Sequence, residues 1–497
     1  MSDESFSLGN LFQSTTVVFL GNVIGAGSAF LMRVISGQYL SVDGYGKLVL
    51  ALSVFNIVSI FTLMGLPRGL AKMIPNIENK RSRVFSVLLF SLVVSGLVSV
   101  VSIVILREFP GVVPFDVPSS IMTVFLISIP LNIGLRVLIG GFRGLGLARY
   151  QLILQNIVYQ FGVTLLIICA VLIGVDIVGL SLSWPIALGF GLLLAGIAFY
   201  RETANEPTET IGPRSGIQWI GSLLIFSLPL MLSDSLWLLT QYLDNLLVGF
   251  FRGNTELGGY DAAFSLSRLL LQPLTAFAFL ALPLFSRFHS ENRIAEIRQY
   301  YSLIAKWLVF VTLPLFLFLV SFPELVISIT FGDEFRFGAI VLTIVASGFF
   351  FHVLVGLNNR LLTASGDTYK ILYGNVFALT ANLILNVLLI PIFGIVGAAI
   401  ASASTYVVAN AYWTALVYRK FGVQPLSKKY VFPVFVSLIG YVSVFQVSGL
   451  IFDRTGFRIV SIVIVFGFLH LGSIVGLGLE EEDREMIENA LSRFVSL

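Results

Sequence analysis

The chain has 497 residues, of which 57% are apolar and 11% charged, and its mean hydropathy is +0.95. Soluble domains carry about 25% charge to hydrate their surface, so this chain must present much of its exterior to lipid. One cysteine, Cys169, excludes a disulfide framework. The three scattered histidines (His289, His352, His470) give no metal-ligand spacing, and a net charge of +3 argues against a nucleic-acid partner.

A hydrocarbon layer of about 30 Å needs roughly 20 apolar residues per helix. Fourteen such runs occur, at about 14–36, 47–66, 84–106, 118–139, 150–173, 180–200, 219–250, 259–285, 302–329, 338–362, 370–391, 394–418, 430–449 and 457–478. Lipid satisfies no backbone group, so each is expected to be a helix. Asp3 and Glu4, in place of lysines, precede the first run, which reads as a retained helix and not a cleaved signal.

The first span carries Asn22, Ala26, Ala29 and Arg33 on one face, and the fourth Ser128, Asn132 and Arg136. The seventh carries Asp234, Gln241 and Asn245 at one spacing, with Asp244 to one side. In the eighth, Asp261, Ser265, Arg268 and Gln272 follow at i, i+4, i+7 and i+11. The eleventh presents Asn375, Asn382 and Asn386. Prolines 130, 229, 273 and 314 predict kinks or hinges. Gly21-x-x-x-Gly25 and Gly472-x-x-x-Gly476 read as close-packing sites.

Orientation follows from basic residues. Loops after even-numbered spans, with the C-terminal tail, hold 22 of the 30 lysines and arginines; loops after odd-numbered spans hold six. Both termini are therefore expected in the cytoplasm of a cell-membrane protein. No outward loop exceeds about a dozen residues, which leaves no room for an external soluble domain. The tail from Glu480 carries six acids and is expected to lie as a short surface helix.

The chain also repeats itself. Asp43-Gly44-Tyr45 recurs as Gly258-Gly259-Tyr260, Gly65-Leu66-Pro67 as Ala281-Leu282-Pro283, and Gly146, Asn156 and Tyr200-Arg201 as Gly366, Asn375 and Tyr418-Arg419. Six spans separate the copies, so the halves share one orientation, as in transporters built from parallel repeats. The expected fold is an all-α polytopic membrane protein with two six-helix lobes plus two C-terminal helices. Its divisions are a cytoplasmic N-terminus (1–13), an N-lobe (14–200), a linker (201–218), a C-lobe (219–418), two added spans (430–478) and an acidic tail (479–497).

Ionisable groups inside a bilayer cost roughly 2.5–3.5 kcal/mol each on insertion scales, so they face a cavity or a partner. Asn22, Asn132, Gln241, Asn245, Gln272 and Asn382 are candidates for a substrate cavity, or else for interhelical hydrogen bonds. Arg33, Asp234 and Arg268 are expected to line a cavity. An arginine there suits a phosphate, which it grips bidentately. A carboxylate (Asp234, Asp244 or Asp261) could take up a proton or sodium ion and bias two conformations. No nucleophile triad, acid–base pair or phosphate loop is present, and neither cofactor nor bound metal is expected.

The run Arg33-Val-Ile-Ser-Gly-Gln-Tyr-Leu-Ser-Val-Asp-Gly-Tyr-Gly46, then Gly65-Leu-Pro-Arg68, resembles the start of Wzx-type polysaccharide flippases. Tyr242-Leu-Asp-Asn-Leu-Leu-Val-Gly-Phe250 through Gly259-Tyr260, Ala364-Ser-Gly-Asp-Thr368 and Ile395-Val-Gly-Ala-Ala399 fit the same pattern. The resemblance spans residues 8 to 478. It lies within the multidrug/oligosaccharidyl-lipid/polysaccharide exporter superfamily, whose other branches are the multidrug (MATE) antiporters and the peptidoglycan-precursor flippase (MurJ). It implies movement of a polyprenyl- or dolichyl-linked oligosaccharide to the outer leaflet by alternating access, driven by an ion gradient. It also implies a place beside glycosyltransferases, a polymerase or an oligosaccharyltransferase, as in archaeal surface-glycoprotein N-glycosylation. By the resemblance, Arg33 and Arg268 take the phosphate or glycan and Asp234 is the coupling carboxylate.

Two sister readings stand beside it, a cation-coupled drug antiporter and a peptidoglycan-precursor flippase. The drug antiporter should have an acidic, aromatic cavity, whereas Arg33 and Arg268 favour an anionic head group. A membrane glycan polymerase or transferase would need a large outward loop, and the short loops argue against an enzyme.

Overall fold

The structure, a computed structural model, describes residues 8–109, 115–147, 149–204, 213–423, 428–451 and 455–478; the acidic tail lies outside them. Every element among the described residues is helical. In chain order these are α1 (Leu8–Tyr39), α2 (Val42–Leu63), the short α3 (Leu66–Met73), α4 (Lys80–Glu108), α5 (Ser119–Gly144), α6 (Arg149–Ile173) and α7 (Ile177–Glu202). They continue as α8 (Pro213–Arg252), α9 (Asn254–Ser290), α10 (Ile294–Ser321), the short α11 (Pro323–Thr330), α12 (Asp333–Ala364), α13 (Thr368–Phe393), α14 (Ile395–Phe421), α15 (Lys428–Ile451) and α16 (Thr455–Ser473).

Twelve helical stretches among the described residues are long and apolar enough to cross a bilayer. The first and seventh expected spans fall on α1 and α8, of 32 and 40 residues, which are not among those twelve; several of their side chains lie outside the described residues.

Several expected spans are interrupted, three of them for a clear local reason. Span 2 ends at Met64 and Gly65, both with positive φ. A Cβ on Gly65 would lie 2.4 Å from the Ser227 carbonyl oxygen, so only glycine permits that turn. Span 8 is broken by a 3-10 turn at Arg268–Leu270. Pro273 follows, and its ring cannot sit over the carbonyl four residues earlier in a regular helix. The single helical face assumed for Asp261 through Gln272 is therefore cut in the middle. Span 9 stops at Ser321 because Pro323 drives Phe322 out of helical geometry (φ −129°, ψ 46°) and starts the separate α11.

The chain gathers into two compact units. The first comprises Met1–Leu266, Phe322–Val345 and Asn375–Thr405; the second comprises Ser267–Ser321, Ala346–Gly374 and Tyr406–Leu497.

In the first unit α5 is central, packed by α2, α3, α4 and α7. Phe125 meets Trp184 edge-on at 5.2 Å, and Phe142 meets Phe199 in the same way at 5.2 Å. α4 shows the inverted logic of a lipid-facing helix. Leu89, Val93, Leu97, Val100 and Val104 are exposed, while Ser91, Ser95 and Ser99 turn inward. Small residues let helices approach where lipid supplies no hydrophobic drive, and Ser99 donates to the Leu126 carbonyl at 2.8 Å. Gly21 and Gly25 pack on Leu152 and Asn156 of α6, as their spacing suggests. Gly472 and Gly476 have no heavy atom within 4 Å of an added Cβ among the described residues, so that motif packs nothing here.

The second unit is held by buried polar bonds. Tyr301 donates to Asn358 at 2.7 Å, and Asn358 donates to Thr414 at 2.8 Å. His470 lies 3.0 Å from the Ser437 hydroxyl and 2.9 Å from the Phe310 carbonyl. His352 meets the Asn410 amide within 3.0 Å, as a packed polar residue.

Candidate functional site

Two carboxylates anchor polar clusters inside the first unit. The first is Asp261, on the first turns of α9 and 2% exposed. Arg33 of α1 forms an ion pair with it through Nη1 and also reaches Ser265 Oγ at 3.3 Å. The Tyr45 hydroxyl of α2 donates to the same carboxylate oxygen at 2.8 Å. Arg33 bonds through Nη1 alone; its Nε and Nη2 meet no protein acceptor among the described residues, and its side chain remains 19% exposed.

Backbone contact surrounds this cluster. A Cβ on Gly46 would fall 1.8 Å from the Asn254 carbonyl oxygen, and one on Gly258 would fall 2.5 Å from that of Val42. The start of α2 thus lies directly against the start of α9, and these are the two copies of the repeated Gly-Tyr segment. Phe331 and Phe335, both buried, put their rings 5.8 and 5.7 Å from that of Tyr45. Phe331 directly follows α11, and Phe335 lies in the first turn of α12. Gln38 Nε2 ties α1 to the Thr330 carbonyl at 2.8 Å.

The second carboxylate is Asp244 of α8, 1% exposed. Asn386 of α13 donates to it at 2.7 Å, Tyr260 of α9 at 3.1 Å, and Ser402 of α14 through its hydroxyl. All four groups are buried. No basic side chain pairs with Asp244 among the described residues. One turn before Asn386, the Asn382 amide is fully buried, and neither its oxygen nor its nitrogen has a hydrogen-bond partner among the described residues; nor does Asn386 Oδ1. A buried amide left unbonded costs about 1–3 kcal/mol.

The other expected positions scatter. Asn245 Nδ2 donates to Ser53 Oγ at 3.0 Å and joins α8 to α2. Asn132 accepts from Arg136 Nε on its own helix at 3.1 Å. Asn22 is exposed and accepts from Asn156 at 3.2 Å. Gln241 is half-buried. Arg268 is half-buried on the 3-10 turn and Gln272 is exposed; both belong to the second unit. The Asp234 side chain lies outside the described residues. Tyr45, Tyr260, Ser53 and Ser402 are absent from the sequence-derived candidates. The repeat already paired Tyr45 with Tyr260, and that was the available signal.

All-helical among its described residues, with twelve stretches long and apolar enough to cross a bilayer, the chain is a polytopic membrane protein. Its fold is similar to that of the lipid II flippase MurJ in its inward closed conformation, with a TM-score of 0.72 and 12% identity over 92% of this chain and 98% of that one. It is also similar to an inward-facing multidrug resistance MATE family transporter of the MOP superfamily, at TM-score 0.65 and 15% identity over 80% and 94%. The chain belongs to the polysaccharide biosynthesis protein family, whose model matches residues 11–289; a MatE model matches residues 229–388. In sequence it is similar to a probable low-salt glycan biosynthesis flippase, Agl15 of Haloferax volcanii, at 24% identity over 402 residues, 80% of this chain and 82% of that protein.

Proposed function

We propose that this chain is a flippase that carries a polyprenyl- or dolichyl-linked oligosaccharide from the cytoplasmic to the outer leaflet of the cell membrane. The family match and the relative named as a glycan biosynthesis flippase support the cargo class. The observation that carries the reading is Arg33, a half-buried intramembrane cation whose Nε and Nη2 meet no acceptor among the described residues. That is the chemistry a phosphate needs. A drug antiporter would need an open acidic pocket, whereas Asp261 is held by Arg33 and Asp244 is enclosed by neutral donors.

In this reading the head group crosses between two lobes, 14–200 and 219–418, while the tail stays in lipid. Both termini face the cytoplasm, and Arg268 and Asp234 serve the same route as further cationic and acidic positions. Asp244 is the coupling carboxylate. A single carboxylate among neutral hydroxyl and amide oxygens balances one proton or one monovalent cation, and oxygen donors suit a hard ion such as sodium. Binding there favours one of two conformations and so draws on an ion gradient. The enzymes that build or transfer the glycan are the expected neighbours, and the chain itself performs no covalent step.

The test is to delete the gene and measure the leaflet distribution of the lipid-linked glycan. Accumulation on the cytoplasmic face, reversed by the intact gene and not by the Arg33→Ala variant, is the expected result. An unchanged distribution with normal surface glycan would end this reading.

A further inference from the structure

Resting on that reading, we propose that the Arg33–Asp261 ion pair is the latch of the outer gate, and that a phosphate of the cargo opens it by taking the guanidinium from the carboxylate. Position supports the first half. Arg33 lies six residues before the end of α1, about 9 Å along the axis. Tyr45 is in the first turn of α2 and Asp261 is eight residues into α9. All three are thus at the helix ends that the lysine and arginine distribution assigns to the outside.

Closure at this end has two layers. The outer layer is backbone on backbone, Gly46 against Asn254 and Gly258 against Val42, under the aromatic rings of Phe331 and Phe335. The inner layer is Asp261, which binds α1 through Arg33 and α2 through Tyr45. One carboxylate therefore ties three helices together at the point where a head group would leave.

The second half follows from how Arg33 is used. Its guanidinium offers five N–H donors in a planar fork, and the pair engages one nitrogen. A phosphate can approach the remaining edge bidentately while the pair is intact, then outcompete a carboxylate held at a single nitrogen. Asp261 then loses the guanidinium while 2% exposed. A buried carboxylate that loses its ion-pair partner is strongly disfavoured, and separating the ends of α2 and α9 hydrates it. By linkage, the cargo binds Arg33 more tightly in the open state, where Asp261 no longer competes.

The test replaces the only native cysteine (Cys169→Ser), introduces Asp43→Cys and Thr255→Cys on the ends of α2 and α9, and measures the distance between spin labels in proteoliposomes. The parent should give one short distance, and vesicles containing undecaprenyl diphosphate should shift it to a longer one. Asp261→Asn should raise the long-distance population about tenfold without lipid, and the lipid should add little. The exchanged pair Arg33→Asp with Asp261→Arg should restore the short distance but not the lipid response, which guards against a merely misfolded single variant. If Asp261→Asn leaves the distribution as in the parent, the latch is overturned. If Asp261→Asn opens the gate while the diphosphate lipid leaves the parent closed, the latch stands and the phosphate-cargo reading fails with its trigger.

Discussion

The glycine at position 46 offers the sharpest mechanical test of the proposed gate. A methyl group there would start 1.8 Å from the Asn254 carbonyl oxygen. Real Cβ contacts below 3.0 Å essentially do not occur, so the two helix starts must separate by about 1.2 Å, the difference between those distances. Both surfaces are main chain, and no flexible side chain can absorb the strain. Overpacking of this kind costs about 1–3 kcal/mol. Because the contact exists only when the ends of α2 and α9 meet, that cost falls on the closed state and shifts the equilibrium roughly 5- to 150-fold toward opening. The assay is the spin-label distance distribution on α2 and α9, with Gly96→Ala as the control. Gly96 sits in the middle of α4 with no heavy atom within 4 Å of an added Cβ, so alanine there should be neutral or slightly stabilising through helix propensity. If Gly46→Ala and Gly96→Ala give the same closed population, the backbone contact does not hold the gate.

Asp244→Asn should preserve folding and abolish the dependence of transport on a sodium or proton gradient, measured as lipid flipping with the gradient imposed or collapsed. Asn382→Leu removes, at nearly constant volume, a buried amide with no hydrogen-bond partner among the described residues; it should raise thermal stability by about 1–3 kcal/mol while weakening any sodium-induced rise in Tm. Tyr45→Phe deletes a 2.8 Å bond to a carboxylate, worth about 1.5–3 kcal/mol for a charged acceptor, and should enlarge the open population without lipid. At the end of α12, burial opposes ionisation of Asp367, but bonds from Lys420 at 2.5 Å, Lys370 at 2.9 Å and Ser365 at 2.8 Å outweigh it and hold its carboxyl at about 2 instead of 3.8. Its folded value is depressed, so its stabilisation is complete above pH 4 and is lost as pH falls through 2. Asp367→Asn should therefore lower stability by about 1 kcal/mol at pH 7, with the gap from the parent closing between pH 4 and pH 2 in thermal melts.

The hydrophobic runs located the helices because lipid imposes length and composition on every span. They did not locate the breaks at Arg268–Leu270 and Phe322, since hydropathy is blind to a missing N–H or a ring clash; Pro273 and Pro323 carried that information. The cost of intramembrane charge singled out Arg33 and Asp261 separately, yet their pairing joins positions 228 residues apart, and no periodicity along one helix reports that. Asn382 and Asn386 stood out by spacing, whereas Ser402 did not, because a serine among Ala398, Ala399 and Ala401 looks like ordinary small-residue packing. The repeat was the most informative feature left unexploited. It matched Tyr45 to Tyr260, and each of these tyrosines donates its hydroxyl to one of the two buried carboxylates.

Tyr260 and Asp261 are consecutive residues, about 100° apart around one turn of α9. Tyr260 belongs to the Asp244 pocket, and Asp261 belongs to the Arg33 pair. A rotation of this turn large enough to accommodate an ion on one side must swing the neighbouring carboxylate on the other. In the proposed mechanism, energy drawn from an electrochemical gradient would have a path one peptide bond long to the exit of the cargo.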